Sequence, residues 1–183
     1  KVVDYVTFAS DSYNQNTTSC ECQLTPEYTH KPNGWELVYS DGYSPGQLSA
    51  VKLWKHDTQG WCVAFKGSQT VAEWVSNVDI GDFEGGKPAI RLEDNELFEG
   101  KVHRGFLNGY REFRRNIIDK INENGGCTKV TLCGHSRGGA IAYIAAVDFA
   151  TVFDLDKESI STITIGAPAV GDRAFRSTYE EKV

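Results

Sequence analysis

Ser136 is the residue whose surroundings are best suited to chemistry. Gly134 lies two positions before it and Gly138 two positions after it. A serine at the apex of a sharp turn between a strand and a helix adopts strained backbone geometry that projects its hydroxyl, and small residues at these two positions permit the turn. The spacing therefore predicts a nucleophilic serine. In the alternative interpretation, Ser136 merely caps the following helix with its side chain.

The flanking sequence favours the strand, turn and helix that such a serine requires. The apolar, β-branched run 130–133 predicts a strand that leads into the turn. The stretch 139–150 is almost wholly apolar and predicts a buried helix, with Ile141, Ile144 and Phe149 distributed around its circumference.

Further strands and helices alternate along the chain. The patterns predict an amphipathic helix over 2–13, strands over 35–39, 48–55, 61–66 and 161–165, a helix with a buried stripe from Phe106 to Ile121, and a charged helical segment over 175–182. A turn at Gln59-Gly60 favours a hairpin between the second and third strands. Alternating strands and helices imply an α/β fold with a mostly parallel sheet, whose functional groups collect at the carboxyl ends of the strands. Ser68, Ser136 and Gly166 are predicted to lie at such ends.

Composition indicates one globular domain over residues 1–183, with a net charge of −6. This charge argues against nucleic acid or anionic lipid as a partner attracted by charge, and neutral substrates fit better. No apolar run is long enough to span a membrane. The long connection 67–100 is Gly-rich and acidic, and a connection of this length is more often functional than idle.

The chain contains no methionine and begins with Lys1, so we expect that a preceding segment, such as a secretion leader, has been removed. A glycosylation sequon at Asn16 agrees with a secreted protein. The cysteines are five, an odd number. Cys62 and Cys133 lie in predicted strands and are expected to be buried small hydrophobes, whereas Cys20, Cys22 and Cys127 lie in loops and could form a bridge. Their spacing fits no common zinc site, and the sequence implies no metal or organic cofactor.

Four ordered motifs, spread over most of the chain, resemble those of the class 3 lipases, the fungal-type lipases and feruloyl esterases of the α/β-hydrolase fold. They are residues 65–68 (Phe-Lys-Gly-Ser), 102–106 (Val-His-Arg-Gly-Phe), 134–139 (Gly-His-Ser-Arg-Gly-Gly) and 166–172 (Gly-Ala-Pro-Ala-Val-Gly-Asp). Lys66 stands where the family usually has Arg, and Arg137 stands where it usually has Leu, which would place a charge at the floor of the pocket. The resemblance implies an α/β-hydrolase fold with a mostly parallel central sheet and helices on both faces.

The resemblance also implies which residues form the active site. Ser136 would be the catalytic nucleophile, and the backbone N–H groups of Ser68 and Arg137 would form the oxyanion hole that stabilises the developing negative charge. A short lid over 71–78, with Trp74 as its apolar anchor, would open at a lipid surface. Ordinary core packing is an equally good interpretation of Trp74.

The partners of the nucleophile are not evident. A serine needs a base, usually a histidine oriented by a carboxylate, and in this fold both follow the serine in sequence. The chain has four histidines, His30, His56, His103 and His135, and none follows Ser136. Asp148 would lie roughly 18 Å along the helix, and Asp172 matches a motif position that is not the family's triad acid. We expect that the triad Asp and His are not present in this chain, whose C-terminal part is missing or carried by a second chain.

These features predict a secreted serine esterase or lipase that hydrolyses carboxylic ester bonds of lipids, such as triacylglycerols, through an acyl-enzyme on Ser136. Two alternatives remain. One is a catalytically inactive lipase-like scaffold that binds a lipid or a protein, and the other is an acyltransferase that passes the acyl group to an alcohol.

Overall fold

A computed structural model describes residues 34–43, 49–67, 80–84, 87–90 and 92–183 of the chain. Its strands are β1 (Trp35–Asp41), β2 (Val51–His56), β3 (Gly60–Phe65), β4 (Ile80–Glu84), β5 (Lys87–Ile90), β6 (Leu92–Glu93), β7 (Val102–His103), β8 (Val130–His135) and β9 (Ile160–Ile165), and its helices are α1 (Arg104–Glu123), α2 (Arg137–Val152) and α3 (Arg173–Lys182). The helix predicted over residues 2–13 lies outside the described residues.

The central sheet has five strands in the order β1-β2-β3-β8-β9. β1, β2 and β3 pair antiparallel, whereas β8 pairs parallel with both β3 and β9. The predicted β2–β3 hairpin is confirmed, and its connection, residues 57–59, is too short for a crossover. α2 supplies the longer crossover from β8 to β9. The predicted α/β architecture is therefore confirmed, with parallel pairing around Ser136. The expectation of a mostly parallel sheet is not met among the described strands, because two of the four pairings are antiparallel.

The core lies between the sheet and the three described helices. Alternate residues of the central strands face these helices, including Leu53, Val63 and Leu132, and each is fully buried. The predicted stripe of α1 is confirmed, because Phe106, Tyr110, Phe113, Ile117 and Ile121 are all buried there. α2 is buried from Arg137 to Ala142 and from Ile144 to Ala150. Among the described residues, no helix is long and apolar enough to span a bilayer.

The opposite face of the sheet carries a smaller buried cluster formed by Trp35, Trp54, Cys62, Ala64 and Cys133. The Sγ atoms of Cys62 and Cys133 lie 3.8 Å apart with both thiols free, so the expected buried, unbridged state of these cysteines is confirmed. Cys127 also carries a free thiol, so the bridge considered for it is wrong. Cys20 and Cys22 lie outside the described residues.

Part of the long connection 67–100 forms short β pairs. β4 and β5 form an antiparallel hairpin, and β6 pairs antiparallel with β7. β7 leads directly into α1 and is fastened to the segment that follows β9, because the backbone N–H of His103 donates to the Val170 carbonyl over 2.8 Å. Two of the four motifs are therefore in contact at the N-terminus of α1.

Candidate active site

Ser136 lies at the apex of a sharp turn between β8 and α2. Its backbone has φ 54° and ψ −124°, a conformation that residues other than glycine rarely adopt. Its N–H donates to the Ile165 carbonyl over 2.8 Å, which ties the turn to the carboxyl end of β9. The predicted strained geometry is confirmed.

The two glycines around Ser136 are required by close backbone contacts. A Cβ on Gly134 would lie 2.3 Å from the carbonyl carbon of Gly138, and a Cβ on Gly138 would lie 2.2 Å from the carbonyl oxygen of Phe65. Both distances are far below van der Waals contact, and the opposing atoms belong to backbone that cannot swing away. The glycine spacing therefore reflects the close packing of the elbow against itself and against β3.

The hydroxyl of Ser136 is not used as a helix cap. Ser136 occupies the N-cap position of α2, but its side chain makes no capping hydrogen bond there. The first turn is closed by its carbonyl, which accepts from the Gly139 N–H over 3.0 Å. The capping interpretation of this serine is therefore wrong, and its side chain is half-buried.

The elbow lies next to the chain segment that leads to the predicted second oxyanion donor. Phe65 pairs with Gly134 across β3 and β8, and the Lys66 carbonyl carbon would lie 2.9 Å from a Cβ on Gly138. Ser68, two residues beyond Lys66, lies outside the described residues, as does Trp74 with the predicted lid. Arg137 is the first residue of α2, where a backbone N–H has no acceptor within the helix and the helix dipole is positive.

The Arg137 side chain is buried, with 9% of its residue surface exposed. Its Nη1 donates to the Ser49 hydroxyl over 2.7 Å, and its Nη2 donates to the Gly105 carbonyl over 3.1 Å. Burial lowers the pKa of the guanidinium below its ordinary value, whereas the nearby Glu112 acts in the opposite direction. The charged group expected at the pocket floor therefore lies against the loop before β2 and the first turn of α1.

The described histidines lie at a helix cap, in a turn and at the end of a strand. The buried His103 caps α1, since its Nδ1 accepts from the Gly105 N–H over 3.1 Å. His56 Nδ1 accepts from the Thr58 N–H over 3.1 Å in the β2–β3 turn. His135 is exposed at the end of β8. His30 lies outside the described residues.

The two carboxylates considered in the sequence are also structural. Asp172 caps α3, and its carboxylate accepts from the Phe175 N–H over 2.9 Å, a hydrogen bond that lowers the pKa of Asp172. Asp148 is 2% exposed and accepts from the Tyr110 hydroxyl over 2.5 Å and from Arg114 Nε over 2.8 Å. Burial, together with the Asp148 charge, raises the pKa of Tyr110 well above its ordinary value.

The Asp148–Arg114 ion pair was not predicted from the sequence, although a signal for it exists. Asp148 is the only carboxylate in a helix that is mostly apolar, and a buried charge needs a partner. Arg114 lies four residues after Tyr110 and therefore on the same face of α1.

A sequence profile of the family described as "Lipase (class 3)" matches residues 62–183. The chain belongs to the class 3 lipase family. The match begins inside β3 and includes all the elements that position Ser136, so the resemblance read from the four motifs is confirmed.

Two curated relatives illustrate the range of the family. The chloroplastic phospholipase A(1) DAD1 of Arabidopsis thaliana is 30% identical over 170 residues, which cover 86% of this chain and 38% of the relative. The secreted mono- and diacylglycerol lipase LIP4 of Malassezia restricta is 26% identical over 151 residues, covering 81% of this chain and 49% of the relative. The chain thus spans less than half the length of either relative.

A solved structure shows the same fold. It is a triacylglycerol lipase whose catalytic centre is described as formed by a serine protease triad, and it matches with a TM-score of 0.73 at 20% identity. The match covers 99% of this chain and 66% of that lipase. The α/β-hydrolase fold of this class 3 lipase chain is therefore confirmed.

In the part of the chain that the structure describes, no group of three or more His, Cys, Asp or Glu residues is arranged to hold a metal ion. The groups that the elbow itself offers for chemistry are the Ser136 hydroxyl and backbone N–H groups.

Proposed function

We propose that the protein is a serine ester hydrolase that cleaves carboxylic esters of lipids through an acyl-enzyme on Ser136. The observation that carries the proposal is the backbone of Ser136, which is strained at φ 54° in a tightly packed elbow while its hydroxyl makes no capping bond. Strain of this kind is retained where the surrounding structure enforces it, and it clusters at catalytic residues.

The chemistry follows from this geometry. Ser136 Oγ attacks the ester carbonyl carbon while a base takes the hydroxyl proton, and the carbonyl oxygen becomes an oxyanion. Collapse of this intermediate expels the alcohol, which receives the proton from the base. Water then attacks the acyl-enzyme by the same route, releasing the fatty acid and restoring the Ser136 hydroxyl.

We assign the oxyanion hole to the backbone N–H groups of Arg137 and Ser68. The position of Arg137 at the N-terminus of α2 supports its part, because the helix dipole adds to the hydrogen bond. The contact of Gly138 with the end of β3 supports that of Ser68, since it brings the chain leading to residue 68 next to the elbow. Loss of one such donor typically slows catalysis by about 10²–10³.

The general base and its carboxylate are proposed to come from sequence outside residues 1–183, or from a second chain. Among the described residues, His103 is engaged in a helix cap and Asp148 in an ion pair. The limited share of each relative that the chain covers agrees with this.

For the substrate, we propose neutral glycerolipid esters at a lipid–water interface, with residues 71–78 and Trp74 as the lid. The net charge of −6 disfavours strongly anionic surfaces, and LIP4 is named for activity on mono- and diacylglycerols. Secretion is proposed on the basis of the sequon at Asn16 and the secreted relatives, although other relatives are chloroplastic.

The test is labelling of the full-length protein with a fluorophosphonate serine-hydrolase probe, followed by peptide mapping. The expected result is one adduct on Ser136 that is lost in Ser136→Ala and kept in Ser177→Ala, a matched control because Ser177 is exposed on α3. Hydrolysis of a triacylglycerol emulsion should exceed that of anionic phospholipid vesicles. An unlabelled protein would instead be a lipase-like scaffold, and transfer of the acyl group to an added alcohol in preference to water would identify an acyltransferase.

A further inference from the structure

We propose that the Arg137 side chain is a positioning residue, which fixes the nucleophile elbow so that Ser136 Oγ and the Arg137 backbone N–H address the same carbonyl group. The inference rests on the proposed function and deepens it.

The guanidinium joins three separate segments of the fold. Arg137 is the first residue of α2, its Nη1 donates to Ser49 in the loop before β2, and its Nη2 donates to the Gly105 carbonyl in the first turn of α1. Ser49 is itself buried, with 3% of its surface exposed. The Arg137–Ser49 hydrogen bond is therefore shielded from competing water, which makes it a directional constraint.

The acceptor at Gly105 is itself fixed in place. The Gly105 N–H donates to His103 Nδ1 over 3.1 Å, and the His103 N–H donates to the Val170 carbonyl over 2.8 Å. Since Val170 follows β9, the Arg137 side chain is tied through α1 to the sheet that also carries the elbow. A rigid acceptor is what a positioning contact requires.

α1 provides the space that the guanidinium occupies. Gly109 is a buried glycine inside this helix, where glycine is otherwise unfavourable. A Cβ at this position would lie 2.7 Å from Arg137 Nη2 and 3.0 Å from the Ser49 hydroxyl. The small residue at 109 therefore matches the large residue at 137, and the two belong to one arrangement.

Packing alone does not explain an arginine at this position. Removing a guanidinium from water is unfavourable, whereas a leucine could fill apolar space without that cost. What arginine adds is a planar set of donors with fixed directions, which can hold two acceptors at once.

The turn at Ser136 needs a second constraint, in the direction of α1. Ser136 retains its strained φ of 54° only if its neighbours over-determine it, and its N–H is already held by the Ile165 carbonyl of β9. Arg137 supplies a second anchor, in the direction of α1, directly after the strained residue. The two anchors fix the Ser136–Arg137 peptide, which carries the proposed oxyanion donor.

The test measures phosphonylation of the full-length protein by the fluorophosphonate probe, in which Ser136 Oγ attacks phosphorus and fluoride leaves. It separates the maximal rate constant of phosphonylation from the apparent affinity of the probe. Arg137→Leu should lower the maximal rate constant about tenfold to a hundredfold, because small misplacements of reacting groups have effects of that size. The probe affinity should change little. Arg137→Lys should recover only part of the rate, since an ammonium cannot reproduce the fork.

Ser49→Ala should lower the same rate constant less, and should have no further effect in an Arg137→Leu background, because the two side chains act through one contact. Arg111→Leu is the matched control. It removes an arginine of α1 that donates to two carboxylates, those of Glu93 and Glu96, and the phosphonylation rate should be unchanged.

The outcomes separate the inference from the proposed function. If Arg137→Leu and Ser49→Ala lower the free energy of unfolding while the phosphonylation rate constant stays at the wild-type value, the side chain is merely structural and the inference fails, although the function stands. If the wild-type protein is not phosphonylated at Ser136 at all, the proposed function fails and the positioning role falls with it.

Discussion

Replacing Ser136 by glycine should stabilise the protein while abolishing its acylation. Ser136 has φ 54° and ψ −124°, a conformation that glycine adopts without the steric penalty of a Cβ. The nucleophile would then be the position at which the fold gives up stability for the sake of the reaction.

The magnitude follows from two opposing effects. A residue other than glycine held in such a region costs about 1–3 kcal/mol, which Ser136→Gly would relieve. Glycine loses more conformational freedom on folding, an effect of about 0.5–1 kcal/mol in the other direction. From the middle of each range, the free energy of unfolding should therefore rise by about 1 kcal/mol.

Ser136→Ala is the matched control, because it keeps the Cβ and its strain and removes only the hydroxyl. That hydroxyl makes no capping hydrogen bond, so the free energy of unfolding of Ser136→Ala should stay within about 0.5 kcal/mol of wild type. Urea unfolding of the three proteins, followed by tryptophan fluorescence, would measure these differences. If the glycine variant is no more stable than the alanine variant, the backbone at Ser136 stores no strain and the reasoning fails.

Three further perturbations probe other contacts. Arg114→Met should lower the free energy of unfolding by about 3 kcal/mol in urea titrations, because it leaves the buried Asp148 carboxylate without its cation; an unchanged midpoint would contradict this. Gly138→Ala should cost about 1–3 kcal/mol and slow acylation of Ser136, since its Cβ would lie 2.2 Å from the Phe65 carbonyl oxygen; wild-type kinetics would show that the elbow can relax. Burial raises the pKa of the Cys127 thiol to about 12. At pH 9, alkylation of Cys127 should therefore be at least about 10²-fold slower in the folded protein than in protein unfolded by urea. As pH rises above 9, the unfolded chain loses the Cys127 proton before the folded chain does, so the free energy of unfolding of the wild type should fall between pH 9 and about 12. Cys127→Ser lacks this contribution, so equal slopes of unfolding free energy against pH in the two proteins would contradict the shift.

The elements predicted from the sequence are those specified by local periodicity. The stripe of α1 and the β2–β3 hairpin are confirmed because helical spacing and a short turn act within a few residues. The pairing of β6 with β7 was not predicted, since each strand has two residues and the pairing depends on contacts made elsewhere in the chain. Local sequence carries little information about such pairs.

The candidate site also contains features that local sequence predicts and features that it does not. The strained turn at Ser136 was predictable because Gly134 and Gly138 encode backbone geometry within five residues. The direction of the Arg137 side chain was not, because its partner Ser49 lies 88 residues away in sequence and its space is provided by Gly109. A polar side chain in the core is evident from sequence, but its partner is known only once the helices are packed.

The distribution of burial explains how the strained backbone of Ser136 is sustained. α2 begins directly after Ser136 and is buried from Arg137 to Ala150, apart from the half-buried Tyr143. Such a helix cannot shift to relax the turn before it without disturbing the core, and Gly138 presses its first turn against the backbone of β3. The packing of the whole helix, rather than contacts of the serine side chain, therefore prevents the strained turn at Ser136 from relaxing. It follows that substitutions that loosen the core of α2 should reduce acylation of Ser136 even when they lie far from the hydroxyl.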